Sequence, residues 1–239
     1  MEKVVVFGNN ETASHTYFYL THDSPYEVAA FTVDGEYIKE DTLFGLPVVP
    51  FEDIESIYSP DDYKMSVPIT FRKLNRLRAE KYYQAKAKGY QLINHISSKS
   101  TTWPGLVIGD NCFIYEDCVI QPFAEIGNNV VIAPGSLIGH HSVIKDHCFL
   151  AAHTVVLGCV TVEPYCFLGA NSTINNNITI ARECVVGAGA FINKSTQERG
   201  IYIGRGAELM PKPTNELRTW LTWSVETQSE PQREGSILV

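Results

Sequence analysis

The sequence is short of positive charge and has no long apolar run, and each shortage excludes a class of protein. Nineteen Lys and Arg residues stand against 27 Asp and Glu, which gives a formal net charge of -8 at pH 7. Because binding to nucleic-acid phosphates needs a basic surface, we expect no nucleic-acid partner. No stretch approaches the roughly 18 consecutive apolar residues of a membrane span, so we expect no membrane partner either.

Two further absences concern location and metals. The N-terminal segment MEKVVVFG lacks the long apolar region of a secretory signal peptide, which favours a cytoplasmic location. The six cysteines include no CxxC pair, so neither a zinc site nor a disulfide framework is predicted. Hydrophobic residues make up 44% of the 239 residues and charged residues 19%, a balance typical of a folded chain with one large domain or two modest ones.

A six-residue period dominates the middle of the chain. From Ile108 in steps of six to Ile192, fifteen successive positions hold Ile, Leu or Val. The positions four residues after these are nearly all small or β-branched, and they hold five of the six cysteines, with Cys159 outside the register. This double register predicts short strands and corners around a narrow interior, in which the cysteines act as small buried apolar groups.

Three six-residue units make one triangular coil, so residues 18 apart stack in interior ladders. One predicted ladder consists of Ile108, Ile126, Ile144, Val162 and Ile180. Because parallel strands lie about 4.8 Å apart, five coils form a prism about 24 Å long that is stabilised mainly by contacts between neighbouring coils. Glycines follow the aliphatic residue at positions 109, 127, 139, 169 and 187, where we expect the corners to use their permissive dihedrals.

The segments outside the repeat predict smaller elements. Four strand-like segments, VVVFG, EVAAFTVD, GLPVVPFEDI and KMSVPITF, with a helical segment ETASHTYFYL between the first two, indicate a small α/β unit. A basic helix is predicted over 71–88, ended by Gly89, and a short amphipathic helix over 214–224. The predicted domains are a Rossmann-like substrate domain at 1–70, a connecting helix and strand at 71–104, a β-helix at 105–206, and a helix with a flexible tail at 207–239.

The period matches the hexapeptide motif [LIV]-[GAED]-x-x-[STAV]-x, and the layout resembles the hexapeptide-repeat sugar acetyltransferases. These include the bacillosamine-pathway and perosamine N-acetyltransferases and the sialic-acid O-acetyltransferases. The resemblance covers about residues 3–210 and is strongest in the repeat. It implies a mixed fold with a C-terminal left-handed parallel β-helix of about five coils after a Rossmann-like domain. It also implies a homotrimer with active sites between prisms, acetyl-CoA as acyl donor, and a sugar acceptor, with a nucleotide sugar favoured.

The resemblance further implies a histidine general base, and the matching residue is His140 in the segment IGHHSVI. An alcohol or ammonium group must lose a proton as it attacks a thioester, and imidazole titrates in the useful range. His141 stands where related enzymes carry an acid. Either an acid from elsewhere substitutes, for which Asp146 is a candidate, or the base is less activated. Without a catalytic role, both histidines would be solvated corner residues.

The acetyl-CoA positions implied by the resemblance depend mainly on backbone contacts. Gly158 matches a glycine whose amide lies near the thioester carbonyl, where it would donate to the oxyanion. Gly169 with Ala170, and Gly187 with Ala188, match the small residues along which the pantetheine arm runs. Each of these residues would also suit a structural corner.

Two positions depart from the pattern of the resembling enzymes, and a third keeps it. Phe149 replaces a histidine near the acetyl group, for which His153 is a candidate substitute. Gly8 is the only glycine of the loop GNNETAS, where related enzymes have a Gly-rich loop that lets the backbone approach a diphosphate. Asp34 keeps the position of the acid that contacts substrate. We therefore expect the α/β fold to persist without the usual diphosphate site, and the acceptor to be a different nucleotide, a non-nucleotide sugar, or a ligand held mainly by the trimer cleft.

Three alternative functions compete with this interpretation. The spacing of His141, His147 and His153 suggests the metal site of a γ-class carbonic anhydrase. However, six residues advance the chain by one face, so the three side chains point in different directions and cannot bind one metal ion within a single prism. A second alternative is a catalytically silent scaffold that keeps only the trimeric prism; unlike an acetyltransferase, it would not bind acetyl-CoA. A third is an acyltransferase that uses the same histidine-based mechanism with another acyl donor or a non-sugar acceptor.

Overall fold

The computed structural model describes residues 1–206, of which residues 1–205 form one compact unit. The helix predicted at 214–224 and the predicted tail lie outside the described residues. Within the described part, no helix has the length and apolar character needed to cross a membrane.

The N-terminal part is built on a five-stranded sheet in the order β3-β4-β2-β1-β5. The strands β1 (Glu2–Phe7), β2 (Tyr26–Val33), β4 (Leu46–Pro50) and β5 (Tyr63–Ser66) run parallel, and β3 (Thr42–Leu43) pairs antiparallel with β4. Because β2 and β5 lie on opposite sides of β1, the order of the strands reverses at β1. The carboxyl ends of β1 and β5 therefore flank the kind of crevice in which open α/β sheets bind ligands.

Three helices accompany this sheet: α1 (Glu11–His22), α2 (Ile54–Ile57) and α3 (Arg76–Ala87). The four predicted strands and the first predicted helix are confirmed. The predicted start of the basic helix at residue 71 is wrong. Lys73, Leu74 and Asn75 have left-handed backbone dihedrals, with φ of 52°, 52° and 63°, so the helix begins only at Arg76. A short 3-10 turn spans Gly35–Tyr37.

The repeat forms the predicted left-handed parallel β-helix of five full coils, in which each two-residue strand pairs with the strand 18 residues further on. One of its three faces has seven strands, because β6 (His95–Ile96) and β22 (Ile201–Tyr202) extend it at its ends. The fifteen strands between them are β7 (Val107–Ile108), β8 (Phe113–Ile114), β9 (Val119–Ile120), β10 (Glu125–Ile126), β11 (Val131–Ile132), β12 (Leu137–Ile138), β13 (Val143–Ile144), β14 (Phe149–Leu150), β15 (Val155–Val156), β16 (Thr161–Val162), β17 (Phe167–Leu168), β18 (Thr173–Ile174), β19 (Thr179–Ile180), β20 (Val185–Val186) and β21 (Phe191–Ile192).

The interior of the prism agrees with the predicted ladders. Fourteen of the fifteen aliphatic residues are buried, and Ile108 in the first coil is half-buried. The five cysteines in the second register are buried as predicted, whereas Cys159 is exposed, and all six are free thiols. Burial of this continuous apolar column is the main stabilising contribution of the repeat.

Each coil has three corners, which we name by their left-handed residues. Corner A carries Asn111, Asn129, His147, Tyr165 and Glu183; corner B carries Asp117, Gly135, His153, Asn171 and Gly189; corner C carries Phe123, His141, Cys159 and Asn177. The role predicted for the glycines after the aliphatic residues is wrong, because the left-handed residue comes two positions later. Those glycines are needed for close approach instead: a Cβ on Gly139 would lie 2.5 Å from the carbonyl carbon of Leu157 in the next coil.

Candidate active site

His140 and His141 lie side by side at corner C, and both are exposed. The backbone N–H of His140 donates to Oε1 of Gln121 at 2.9 Å, and the Nδ1 atoms of the two histidines are 3.1 Å apart. A hydrogen bond between those atoms requires a proton on one of them. When that proton is on His140, its Nε2 keeps a free lone pair, which is the form that a general base needs. His141 can therefore orient its neighbour, but without a negative charge.

Asp146 does not supply the missing acid. It lies at corner A, where its Oδ1 accepts from the backbone N–H of Asn128 at 2.8 Å. The suggestion that it replaces the carboxylate beside His140 is wrong, because a step of six residues carries the chain to another corner.

Gly158 lies one coil beyond His140 in the same column of corner C. A Cβ on Gly158 would lie 2.7 Å from both Cε1 and Nε2 of His140, so the imidazole rests directly on this glycine. The backbone N–H of Gly158 donates to Oδ1 of Asn176 at 2.9 Å, one further coil along. The amide predicted to stabilise the oxyanion is thus already occupied by an exposed side chain that can rotate away.

The remaining predicted acetyl-CoA residues lie elsewhere on the prism. Gly169 with Ala170, and Gly187 with Ala188, belong to corner B, separated from corner C by one face. Within one protomer the structure therefore does not bring them together with Gly158. His153 also lies at corner B, with its ring over Gly135.

A cavity of about 430 Å³ opens between α1, the segment after β5 and the seven-stranded face of the prism. It lies at the carboxyl ends of β1 and β5, where the strand order reverses. Its lining comprises Glu11, Thr12, His15, Pro68, Ile69, Thr70, Phe113, Tyr115, Val131 and Phe149. Phe149 therefore faces this cavity and not His140. The aromatic lining was missed from the sequence, although Phe113 and Tyr115 flank an inward aliphatic residue and so had to point out of the prism.

Gly8 and Asp34 lie at the same edge of the sheet, but neither lines the cavity. The N–H of Gly8 donates to the carbonyl of Thr32 at 2.6 Å, and a Cβ there would lie 3.2 Å from Cβ of Ala13. The carboxylate of Asp34 accepts from Nζ of Lys81 on α3 at 2.6 Å, and both side chains are largely shielded from solvent. The charge of Asp34 is thereby balanced within the protein.

The three histidines spaced by six lie at three different corners, as the spacing predicts. His147 is buried beneath α3, where the hydroxyl of Tyr83 is 3.0 Å from its Nε2 and the amide nitrogen of Asn129 is 2.9 Å from its Nδ1. Burial lowers its pKa to about 4. Among residues 1–206, no cluster of three or more His, Cys, Asp or Glu residues has an arrangement that could hold a metal ion.

Comparison with known families agrees with this repeat. Residues 105–140 and 141–176 each match the family described as bacterial transferase hexapeptide (six repeats), and residues 159–194 match the hexapeptide repeat of succinyl-transferase. No curated protein matches the sequence.

Solved structures extend the likeness to the N-terminal part. A mutant of a perosamine N-acetyltransferase from Caulobacter crescentus, in complex with CoA and GDP-perosamine, is 22% identical, with a TM-score of 0.74 over 84% of this chain and 93% of that chain. The acetyltransferase domain of PglB from Neisseria gonorrhoeae, in complex with acetyl coenzyme A, is 17% identical, with a TM-score of 0.76 over 87% and 99%. WeeI from Acinetobacter baumannii is 20% identical, with a TM-score of 0.71 over 84% and 96%. The predicted fold likeness to sugar acetyltransferases is confirmed.

Proposed function

We propose, from the premise that residues 105–194 are a hexapeptide-repeat β-helix of the transferase type, that the protein is an acetyl-CoA-dependent acetyltransferase acting on an amino or hydroxyl group of a sugar. The observation that carries the proposal is the placement of the exposed imidazole of His140 on Gly158 at one corner of the prism. It is supported by two proteins of the same fold, one bound to CoA and GDP-perosamine and the other to acetyl coenzyme A.

In the proposed reaction the acceptor oxygen or nitrogen attacks the thioester carbonyl carbon directly. Nε2 of His140 takes the proton of the acceptor as the new bond forms. The N–H of Gly158, once it is released from Asn176, donates a hydrogen bond to the oxyanion. The C–S bond then breaks, and CoA leaves as the thiol after its sulfur is protonated. Direct transfer is favoured because five of the six thiols are buried in the prism; the exposed one, Cys159, provides a test.

We propose that two protomers complete each site in a homotrimer. The proposed coenzyme residues are divided between corners B and C, so one extended ligand reaches both sets only across two neighbouring prisms. Corner C also carries the exposed apolar side chains of Trp103, Val107 and Phe123 around a cavity of about 480 Å³. Large apolar side chains grouped in this way are typical of a surface that a second chain covers.

We further propose that residues 1–70 with the connecting segment 71–104 contribute the acceptor side of the site, and that the β-helix contributes the coenzyme side. A cytoplasmic location is consistent with six free thiols, because disulfides are rare in that compartment.

The test is release of CoA thiol from acetyl-CoA with a panel of nucleotide amino sugars and free sugars. His140→Ala is expected to lower turnover by about two to four orders of magnitude, the usual contribution of a general base, with the assembly intact. Cys159→Ser is expected to keep wild-type turnover, since no acyl-cysteine forms. Wild-type turnover in His140→Ala would overturn the assignment of the base.

One observation favours the catalytically silent scaffold as a second candidate: the N–H of Gly158 is occupied by Asn176. Calorimetry with acetyl-CoA separates the two functions, because a scaffold has no reason to bind it. Absence of binding together with absence of thiol release would favour the scaffold.

A further inference from the structure

We propose that the cavity beneath α1 holds an amino sugar that carries no nucleoside diphosphate. This inference rests on the proposed acetyltransferase function and specifies its acceptor. The cavity lies at the switch point of the α/β sheet, and its volume of about 430 Å³ is within the range of small-ligand pockets.

The walls of the cavity suit the apolar face of a sugar ring. The rings of His15 and Tyr115 stack with centroids 5.4 Å apart and planes at 21°. Phe113 and Phe149 continue this surface along the prism. Flat aromatic walls bury the C–H face of a pyranose and leave its polar substituents directed towards the polar side of the cavity, which here is the first turn of α1.

The first turn of α1 disfavours phosphate. The side chain of Asn10 caps the helix by accepting from the N–H groups of Thr12 and Ala13 at 3.1 and 3.3 Å, so two of its amides are already occupied. Glu11 adds a carboxylate at the same place and lines the cavity. A diphosphate would meet negative charge where an anion-binding helix offers free N–H groups.

None of the described residues that line the cavity is a Lys or an Arg that could offset this carboxylate. Lys81 is paired with Asp34. Arg78 lies behind the wall, 5.7 Å from the ring of Phe149, and is fully buried. Its guanidinium donates to six acceptors, the carbonyls of Ile69, Thr70, Asn129, His147 and Cys148 and the side chain of Asn75.

The same charges favour an amine. Glu11 offers a counter-charge for an ammonium group at the mouth of a cavity whose other walls are aromatic or neutral. A hydrogen bond to a carboxylate is the stronger kind, and its loss weakens binding by tenfold or more.

The experiment is titration calorimetry on the full-length protein with three matched sets of probes: methyl glycosides of aminohexoses, the corresponding hydroxy glycosides, and UDP, GDP and dTDP with their amino-sugar conjugates. We expect the amino glycosides to bind at least as tightly as the conjugates, and the free nucleotides to bind at least tenfold more weakly. Glu11→Gln is expected to weaken the binding of the amino glycosides about tenfold and to change the binding of the hydroxy glycosides little. Glu40→Gln is the control, because Glu40 is an exposed carboxylate outside the cavity, and it should change neither affinity. Glu11→Lys is expected to strengthen nucleotide binding.

The proposal would be overturned if a nucleoside diphosphate bound tenfold more tightly than the amino glycosides, or if no amino glycoside bound at all. Thiol release with nucleotide-linked sugars alone would leave the acetyltransferase function standing and reject this acceptor. Failure to bind acetyl-CoA would instead reject the acetyltransferase function, while the glycoside titrations would still decide what the cavity holds.

Discussion

The imidazole of His140 rests on the backbone of Gly158, so closely that a methyl group on that glycine would lie 2.7 Å from Nε2. The two residues are 18 apart in sequence and neighbours in space, because one coil of the prism takes 18 residues. The glycine therefore fixes where the imidazole can lie.

Gly158→Ala is expected to push the ring of His140 aside and lower kcat by about two orders of magnitude or more, because a misplaced base loses most of its contribution. The fold should persist, since Gly158 does not have a left-handed backbone. The measurement is thiol release together with thermal unfolding. Gly206→Ala is the control, because no atom of residues 1–206 other than its chain neighbour would lie within 4 Å of the added Cβ. A Gly158→Ala protein with wild-type kcat would show that the position of the ring does not matter.

Replacing the neighbour of His140 tests how the base is tuned. In His141→Asp a carboxylate beside His140 would stabilise the positive charge that forms as the base takes the proton of the acceptor, so kcat should rise by about tenfold. His141→Asn is the matched control, because Asn also tolerates the left-handed backbone with φ of 57° but brings no charge. An equal change of kcat in both variants would contradict the electrostatic explanation.

Much of the prism could be predicted because each coil repeats the same physical requirement. An aliphatic residue every six positions fills a narrow interior, so the strands, their register and the buried cysteines followed from the sequence. The corners followed less well. Asn111, Asp117 and His141 adopt left-handed φ at positions where no glycine signals it, and the glycines that do stand out serve close contacts between coils.

The site was predictable only where it obeys the repeat. The column of His140, Gly158 and Asn176 follows from steps of 18, and the occupied amide of Gly158 could have been found that way. The cavity beneath α1 could not, because it joins His15 to Tyr115 through tertiary contacts between a non-repeating segment and the prism. The predicted start of α3 failed for a related reason, since the buried Asn75 donates to the carbonyl of Cys166 and holds the preceding turn against the prism.

Asn176→Ala tests the competition for the N–H of Gly158. Removing the carboxamide frees that donor for the thioester oxygen, so the KM for acetyl-CoA should fall by about 2- to 10-fold, the value of one neutral hydrogen bond. Asn175→Ala is the control, because it removes only the long contact of 3.5 Å from Nδ2 of Asn176 to Oδ1 of Asn175 and leaves the bond to Gly158 in place. A higher KM in Asn176→Ala would mean that Asn176 itself holds the coenzyme.

His147 predicts a loss of stability in acid. Burial lowers its pKa to about 4, against an opposing effect of Asp146, whereas the unfolded chain has a pKa near 6.5. Between these values the unfolded state binds a proton that the folded state does not, so this contribution to stability is complete above about pH 6.5 and declines as the pH falls towards 4. We expect a loss of roughly 2 kcal/mol in the free energy of unfolding at pH 4.5.

His147→Asn should remove that loss. Asn extends the column of Asn111 and Asn129, keeps a residue type that tolerates left-handed φ, and does not titrate. The variant loses the bond to Tyr83 and will be less stable at pH 7.5, so the quantity to compare is the change in the free energy of unfolding between pH 7.5 and 4.5, measured by urea denaturation. Burial also lowers the pKa of His95, but its effect on the free energy of unfolding is the same in both proteins and cancels in the comparison. An unchanged difference between the two pH values would show that the acid sensitivity arises elsewhere, because the only titrating group altered is the imidazole beneath α3.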